Sequence, residues 1–295
     1  MTYQEIKERE RARAQALVDS IDSSQDKYIV YKHQRPITDI KQMFESSVEL
    51  YGDNPAFHQR FVKGEPYKTV TYREALEDVH GLGTAMIQHG LHHKRIAVIG
   101  ENCYQWASTY LAITGGVGVV VPLDKELKED DLKALVKESE ACAVFFTKKY
   151  EEIFRNIKAS GETDLDFLVN LNAEENGDGV YSWKALISEG KALVEGGDRR
   201  YLDAEVIGDD MAALLFTSGT TGLTKGVMIS QYNICFDLMS APTILTVNTW
   251  DVFFSVLPIH HTYECTCGFL MPLYKGASIA YCEGLKYIQK NLQET

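Results

Sequence analysis

Thr217, Ser218, Thr220, Thr221 and Lys225 are interleaved with Gly219, Gly222 and Gly226 inside ten residues. The three glycines allow positive φ and leave their backbone N–H groups uncovered by side chains. Successive exposed N–H groups of this kind form an anion-binding concavity. The hydroxyls add donors, and Lys225 adds a point charge of the sort that grips phosphate. The chemistry such a set serves is the holding of a polyphosphate. A Walker A loop is a different object, because it runs Gly-x-x-x-x-Gly-Lys-Ser/Thr directly into a helix. Here Lys225 precedes Gly226, and Val227 to Ile229 reads as a strand. A bare polar turn is the alternative for so short a string. The apolar runs on both sides, Met211 to Phe216 and Val227 to Ile229, weigh against it.

A second cluster is Leu257-Pro258-Ile259-His260-His261-Thr262-Tyr263-Glu264. An imidazole here either caps a helix beginning near Thr262 or donates a hydrogen bond to a ligand. Glu264 suits the first turn of that helix, where a carboxylate complements the dipole, as well as it suits a functional role. The pair His92-His93 reads as a solvated loop. Cys265 and Cys267 lack a partner pair at zinc spacing, so they read as structural thiols.

These groups need positioning, and the surrounding pattern supplies it. Residues 1–20 form a charged helical arm, broken by the polar stretch Ser20 to Gln25, and Tyr28 to Tyr31 is a short β-like run. Thr38 is placed to cap a helix over Asp39 to Leu50. Ala56 to Phe61 and Tyr67 to Thr71 alternate as a hairpin. Thr71 and Glu74 have capping-box spacing for a helix reaching Gln88 and stopping at Gly90. Strands at Arg95–Ile99, Val117–Val121, Ala141–Phe146 and Phe167–Asn170 then alternate with helices at Tyr104–Ile113, Leu127–Glu138 and Tyr150–Ala159. After the glycine loop the spacing predicts helices at Tyr232–Ile244, Thr262–Tyr274 and Leu285–Leu292, and strands at Val252–Leu257 and Ser278–Cys282. Phe236, Leu238, Met239 and Ile244 could line a cavity or simply face the core. The alternation implies an α/β fold of parallel-rich sheets flanked by helices.

The string Thr217-Ser218-Gly219-Thr220-Thr221-Gly222-x-x-Lys225-Gly226 resembles the signature loop of the AMP-forming, acyl-adenylate synthetases. Thr71 to Leu76 resembles that family's early Thr-Tyr-x-Glu-Leu element. Gly115 to Asp124 resembles its glycine-rich strand ending in Pro-Leu-Asp. Leu257 to Glu264 resembles the acyl-CoA ligase branch, most nearly the long-chain fatty acyl type. The likeness runs from about residue 38 to Thr295, and departs where Thr224 stands at a position usually held by proline, which would fix φ.

The resemblance implies an incomplete N-terminal domain of an adenylate-forming enzyme, residues 38–295, preceded by a helical arm and lead-in, residues 1–37. It implies ATP, Mg2+ and coenzyme A, and a medium- to long-chain fatty acid that is first adenylated and then passed to the thiol. Lys225 and His261 become the catalytic residues, with His261 beside the acyl pocket. Thr217, Ser218, Gly219, Thr220, Thr221, Gly222 and Lys225 become the nucleotide-binding set. No metal ligand falls in this stretch, since the family's magnesium carboxylate belongs to a later element. The later motifs and the small C-terminal domain would follow Thr295, so residues 1–295 alone are expected to bind nucleotide weakly and to be inactive. An aryl- or amino-acid adenylation unit, or a non-catalytic nucleotide-binding module, are the competing readings.

Composition narrows the partners. A formal charge of -12 argues against nucleic acid, which requires a basic footprint. No apolar stretch reaches the roughly 18 residues of a membrane span, which leaves only peripheral contact with a membrane. Six scattered cysteines and a charged N-terminus fit a reducing, cytoplasmic setting.

Overall fold

A computed structural model describes residues 1–62, 64–218 and 224–295. Helix α1 (Tyr3–Ser23) starts in a capping box between Thr2 and Glu5 and runs past Ser20, where the polar stretch predicts a break. Tyr28 to Tyr31 forms no strand. The Val30 and Tyr31 N–H groups instead donate to the Thr243 carbonyl at 2.9 and 2.8 Å. Helix α2 (Ile40–Tyr51) is capped by Asp39 rather than Thr38. Asp39 Oδ1 accepts from the Gln42 N–H at 2.8 Å, while the Thr38 hydroxyl donates to Asp39 Oδ2. Strands β1 (Pro55–Gln59) and β2 (Lys68–Thr71) pair antiparallel. Helix α3 (Tyr72–Gln88) begins with the expected exchange between Thr71 and Glu74 and is followed by Gly90 at φ +79.

The βα alternation follows: β3 (Lys94–Ile99), α4 (Tyr104–Ala112), β4 (Gly118–Pro122), α5 (Glu129–Ser139), β5 (Ala143–Phe146), α6 (Glu151–Ser160) and β6 (Phe167–Asn170). Next come β7 (Tyr181–Ser182) and α7 (Trp183–Glu195), then β8 (Met211–Ser218), β9 (Thr224–Ser230) and α8 (Gln231–Ser240). The chain continues through β10 (Val252–Ser255), a π-helical turn over Glu264–Leu270, α9 (Met271–Lys275), β11 (Ser278–Tyr281) and α10 (Ile288–Glu294). The helix expected over Thr262 to Tyr274 is therefore two segments of different pitch.

Two compact units result. One comprises Met1–Leu76, Glu205–Asp210 and Ser230–Thr295; the other comprises Glu77–Ala204 and Met211–Ile229. In the first unit, β10, β11 and β1 run parallel and β2 closes the edge antiparallel, in the order β10-β11-β1-β2. Helix α1 is anchored there by a buried ion cluster. Lys7 Nζ donates to Glu10 Oε2 (2.7 Å), Asp39 Oδ2 (2.8 Å), Thr38 Oγ1 (3.0 Å) and the Val206 carbonyl (3.1 Å). Glu10 also accepts from the Gly208 N–H.

The second unit holds a seven-stranded sheet in the order β7-β6-β5-β3-β4-β8-β9, with parallel pairing from β7 through β8. Strand β5 is buried along its whole length, as expected of a parallel strand covered on both faces. Leu132, Val136, Phe146, Phe154 and Leu168 fill one side of the core. Helices α3 and α7 touch backbone to backbone: a Cβ on Gly190 would overlap the Gly81 carbonyl oxygen. The expected α/β class with parallel-rich, helix-flanked sheets is the one observed.

Candidate functional site

Strand β8 runs parallel to β4, with Val120 opposite Ala213. Its C-terminal end therefore lies at the carboxyl edge of the parallel sheet, where open α/β folds bind their ligands. Strand β8 ends there at Ser218, and β9, its hydrogen-bonded neighbour, starts at Thr224. Thr217 and Lys225, at the two ends of the loop, are both exposed. Gly219, Thr220, Thr221 and Gly222 lie outside the described residues, and Ser218 and Thr224 are the terminal residues of the flanking strands. Gly226 serves differently from its expected role. It has no positive φ and sits inside β9, where a Cβ would press on Leu214 Cδ1 at 3.1 Å.

The same edge carries an arrangement the sequence pattern did not single out. Thr147 Oγ1 donates to Glu101 Oε2 at 2.7 Å, and Lys149 Nζ pairs with Glu101 Oε1 at 2.6 Å. Burial pushes the Glu101 carboxyl up, but these two partners outweigh it and hold its pKa below the ordinary value. Glu101 follows β3 and Thr147 follows β5, so the cluster ties together the ends of adjacent strands.

In the first unit, the chain leaves β10 and turns at Leu257-Pro258. The His261 N–H donates to the Pro258 carbonyl at 3.0 Å, and the Cys265 N–H donates to the His261 carbonyl at 2.9 Å. The exposed His261 ring does cap the following turn, since its Nδ1 faces the Tyr263 N–H at 3.4 Å. An accepting Nδ1 leaves the proton of the neutral ring on Nε2, so capping and donation to a ligand are compatible. His260 is half-buried. Helix α8 divides its apolar residues: Leu238 and Met239 are core, whereas Phe236 is exposed, as is Ile244 beyond the helix. His92 and His93 stack at 3.7 Å in the turn before β3.

Glu264 does stand in the first turn after His261, at the start of the π-helical segment. It is 5% exposed and accepts a 2.6 Å hydrogen bond from Ser255 Oγ. Burial raises its pKa, against a smaller lowering by Ser255. Burial likewise lifts Asp237. It also lifts the Cys267 thiol, which Asp237 and Glu264 push further. All six cysteines are free. Among the described residues no three His, Cys, Asp or Glu side chains converge to hold a metal ion. No described helix is long and apolar enough to cross a membrane.

A mostly parallel, helix-flanked sheet with β8 ending at its carboxyl edge defines an open α/β protein, a class that binds its ligands at that edge. The chain belongs to the AMP-binding enzyme family, whose model matches residues 44–292. Long-chain-fatty-acid–CoA ligase 1 of Cavia porcellus is 26% identical over 291 residues, covering 92% of this chain and 40% of that protein. Among solved structures, an anthranilate CoA ligase bound to anthranoyl-AMP superposes with a TM-score of 0.74 at 16% identity, covering 90% of this chain and 47% of the other. A long-chain-fatty-acid-CoA ligase from Archaeoglobus fulgidus gives 0.70 at 17% identity, over 85% and 48%. The chain thus spans about two fifths of the length of the curated relatives it matches.

Proposed function

We propose that these residues belong to an enzyme that activates a carboxylic acid with ATP, and that the acid is a medium- to long-chain fatty acid delivered to coenzyme A. The observation that supports this reading is that β8 ends at the carboxyl edge of a parallel sheet, with Thr217 near its end and Lys225 near the start of the neighbouring β9, both exposed. A carboxylate oxygen attacks the α-phosphorus of ATP, the bond to the bridging oxygen breaks, and pyrophosphate leaves. Charge builds on the β- and γ-phosphates during that step. The N–H groups of Gly219 and Gly222, the hydroxyls of Thr217, Ser218, Thr220 and Thr221, and the Lys225 ammonium would stabilise it most at that moment. His261 Nε2–H would hold the carboxylate end of the substrate. The thiol then attacks the acyl carbonyl carbon and releases AMP.

Magnesium would accompany ATP, since it prefers phosphate oxygens and water over an all-protein cage. The remainder of the parent chain would supply its carboxylate and the rest of the catalytic set. Residues 1–295 alone would therefore bind ATP weakly without forming adenylate. Pyrophosphate exchange in the complete enzyme, scored with fatty, aryl and amino acids, tests the substrate class. Turnover confined to amino or aryl acids would replace the fatty-acid reading. The anthranilate relative makes the aryl case the one to include.

A further inference from the structure

The buried Glu264 has no part in the chemistry above. Filling its site with an apolar side chain would avoid the cost of desolvating a carboxyl group, so its polarity asks for a reason. Ser255, the last residue of β10, donates to Glu264 Oε1 at 2.6 Å, and both residues are buried, at 2% and 5% exposure. On the far side, a Cβ on Gly268 would stand 2.5 Å from Glu264 Oε2. The absent side chain there gives the carboxyl group its room. Glu264 is also where the π-helical turn begins, and such turns widen a helix locally and recur at functional sites.

The two N–H groups that hold His261 come from the residues on either side of Glu264. Tyr263 donates to the ring Nδ1, and Cys265 donates to the main-chain carbonyl. We propose that Glu264 is a positioning residue: clamped between Ser255 and Gly268, it fixes the Tyr263 and Cys265 N–H groups and thereby holds the His261 ring in the tautomer that presents Nε2–H. The assignment of a substrate-holding role to that Nε2–H rests on the function proposed above, whereas the clamp itself does not. Asp237 and Cys267 are the other titratable groups acting on this pocket, and neither supplies a hydrogen bond to His261.

The test reads the tautomer directly, from ring 15N chemical shifts of His261 in the complete protein at a pH where the imidazole is neutral. The wild type is expected to show a bare Nδ1 and a protonated Nε2. Glu264→Gln keeps an acceptor for Ser255 and should keep that pattern. Glu264→Ala should move both shifts toward the averaged values of a free imidazole. Ser255→Ala removes only the donor and should do the same, which decides the matter if Glu264→Ala does not fold. Shifts unchanged in Ser255→Ala and in folded Glu264→Ala would overturn the clamp. In steady-state assays, Ser255→Ala should raise KM for the carboxylic acid about tenfold, a modest penalty for a misplaced positioning group, and leave KM for ATP unchanged. If His261→Ala leaves acid binding intact while the shifts still respond to Glu264, the function proposed for His261 fails and the clamp stands.

Discussion

Replacing Lys7 by Met removes one ammonium and leaves two carboxylates facing each other in the interior. Lys7, Glu10 and Asp39 are 6%, 4% and 3% exposed, and the two ion pairs measure 2.7 and 2.8 Å. At an effective dielectric of about 20, each pair attracts by roughly 6 kcal/mol. Most of that offsets the desolvation of three charges. What the substitution exposes is the penalty of uncompensated buried charge, about 3–5 kcal/mol for one broken pair. Native-state hydrogen exchange across α1 measures it, with amide protection expected to fall by a factor of about one hundred to several thousand, the equivalent of that energy at 1.4 kcal/mol per tenfold. Adding Glu10→Gln and Asp39→Asn should recover more than half of the loss, since Asn caps α2 as well as Asp does. Burial pulls the Lys7 ammonium down, but Asp39 and Glu10 hold its pKa above the ordinary value of 10.5. The stabilisation is therefore complete below 10.5 and lost only as pH rises through the higher folded value, so the penalty should be equal at pH 7 and pH 9. A loss under about 1 kcal/mol, the yield of an exposed ion pair, would refute the reasoning.

Lys225→Ala in the complete enzyme should depress adenylate formation at least about tenfold, because a preorganised charge on the leaving pyrophosphate is lost; pyrophosphate exchange at an unchanged rate would remove Lys225 from the site. Gly190→Ala should destabilise the second unit by about 1–3 kcal/mol or more, read from the urea midpoint, because its Cβ overlaps the Gly81 carbonyl of α3. Glu264 has a pKa raised above 4.5 by burial, so its stabilising protonated form is complete below 4.5 and lost as pH rises through the folded value. Glu264→Gln should accordingly flatten the fall in Tm between mildly acidic and neutral pH. A wild-type slope retained in that variant would assign the effect to Asp237 instead.

Strand and helix order through α3, β3, β5 and β6 was legible because the apolar runs there are short and dense, and because the cap that opens α3 forms as written. The reciprocal bonds of Thr71 and Glu74 are the clearest case. The Asp39 cap was misread by one residue because Thr38 and Asp39 both carry capping oxygens. The Thr38 hydroxyl is taken up instead by Asp39 Oδ2 and by Lys7, thirty-two residues from Asp39 in sequence, which leaves Asp39 Oδ1 to cap the helix. The run Tyr28 to Tyr31 looked like a strand by composition, yet its first two N–H groups turn back to Asp26 and its last two share the single carbonyl of Thr243, so no ladder forms. Helix α7 escaped notice because Gly190 falls in its middle, a residue that lowers helix propensity and is explained only by the close approach to α3. At the candidate site, residue types announced the loop, but the burial of Glu264 depends on Ser255 and Gly268. No local pattern carries that arrangement.

The seven-stranded sheet ends on β9, whose Val227 is 39% and Met228 73% exposed. A terminal strand of this composition offers a ladder of backbone donors and acceptors to whatever extended chain arrives first. Handled as residues 1–295, the protein should therefore be prone to self-association through that edge. Its solubility should improve when a charged side chain replaces Met228, a change that touches neither Lys225 nor the buried face of the sheet.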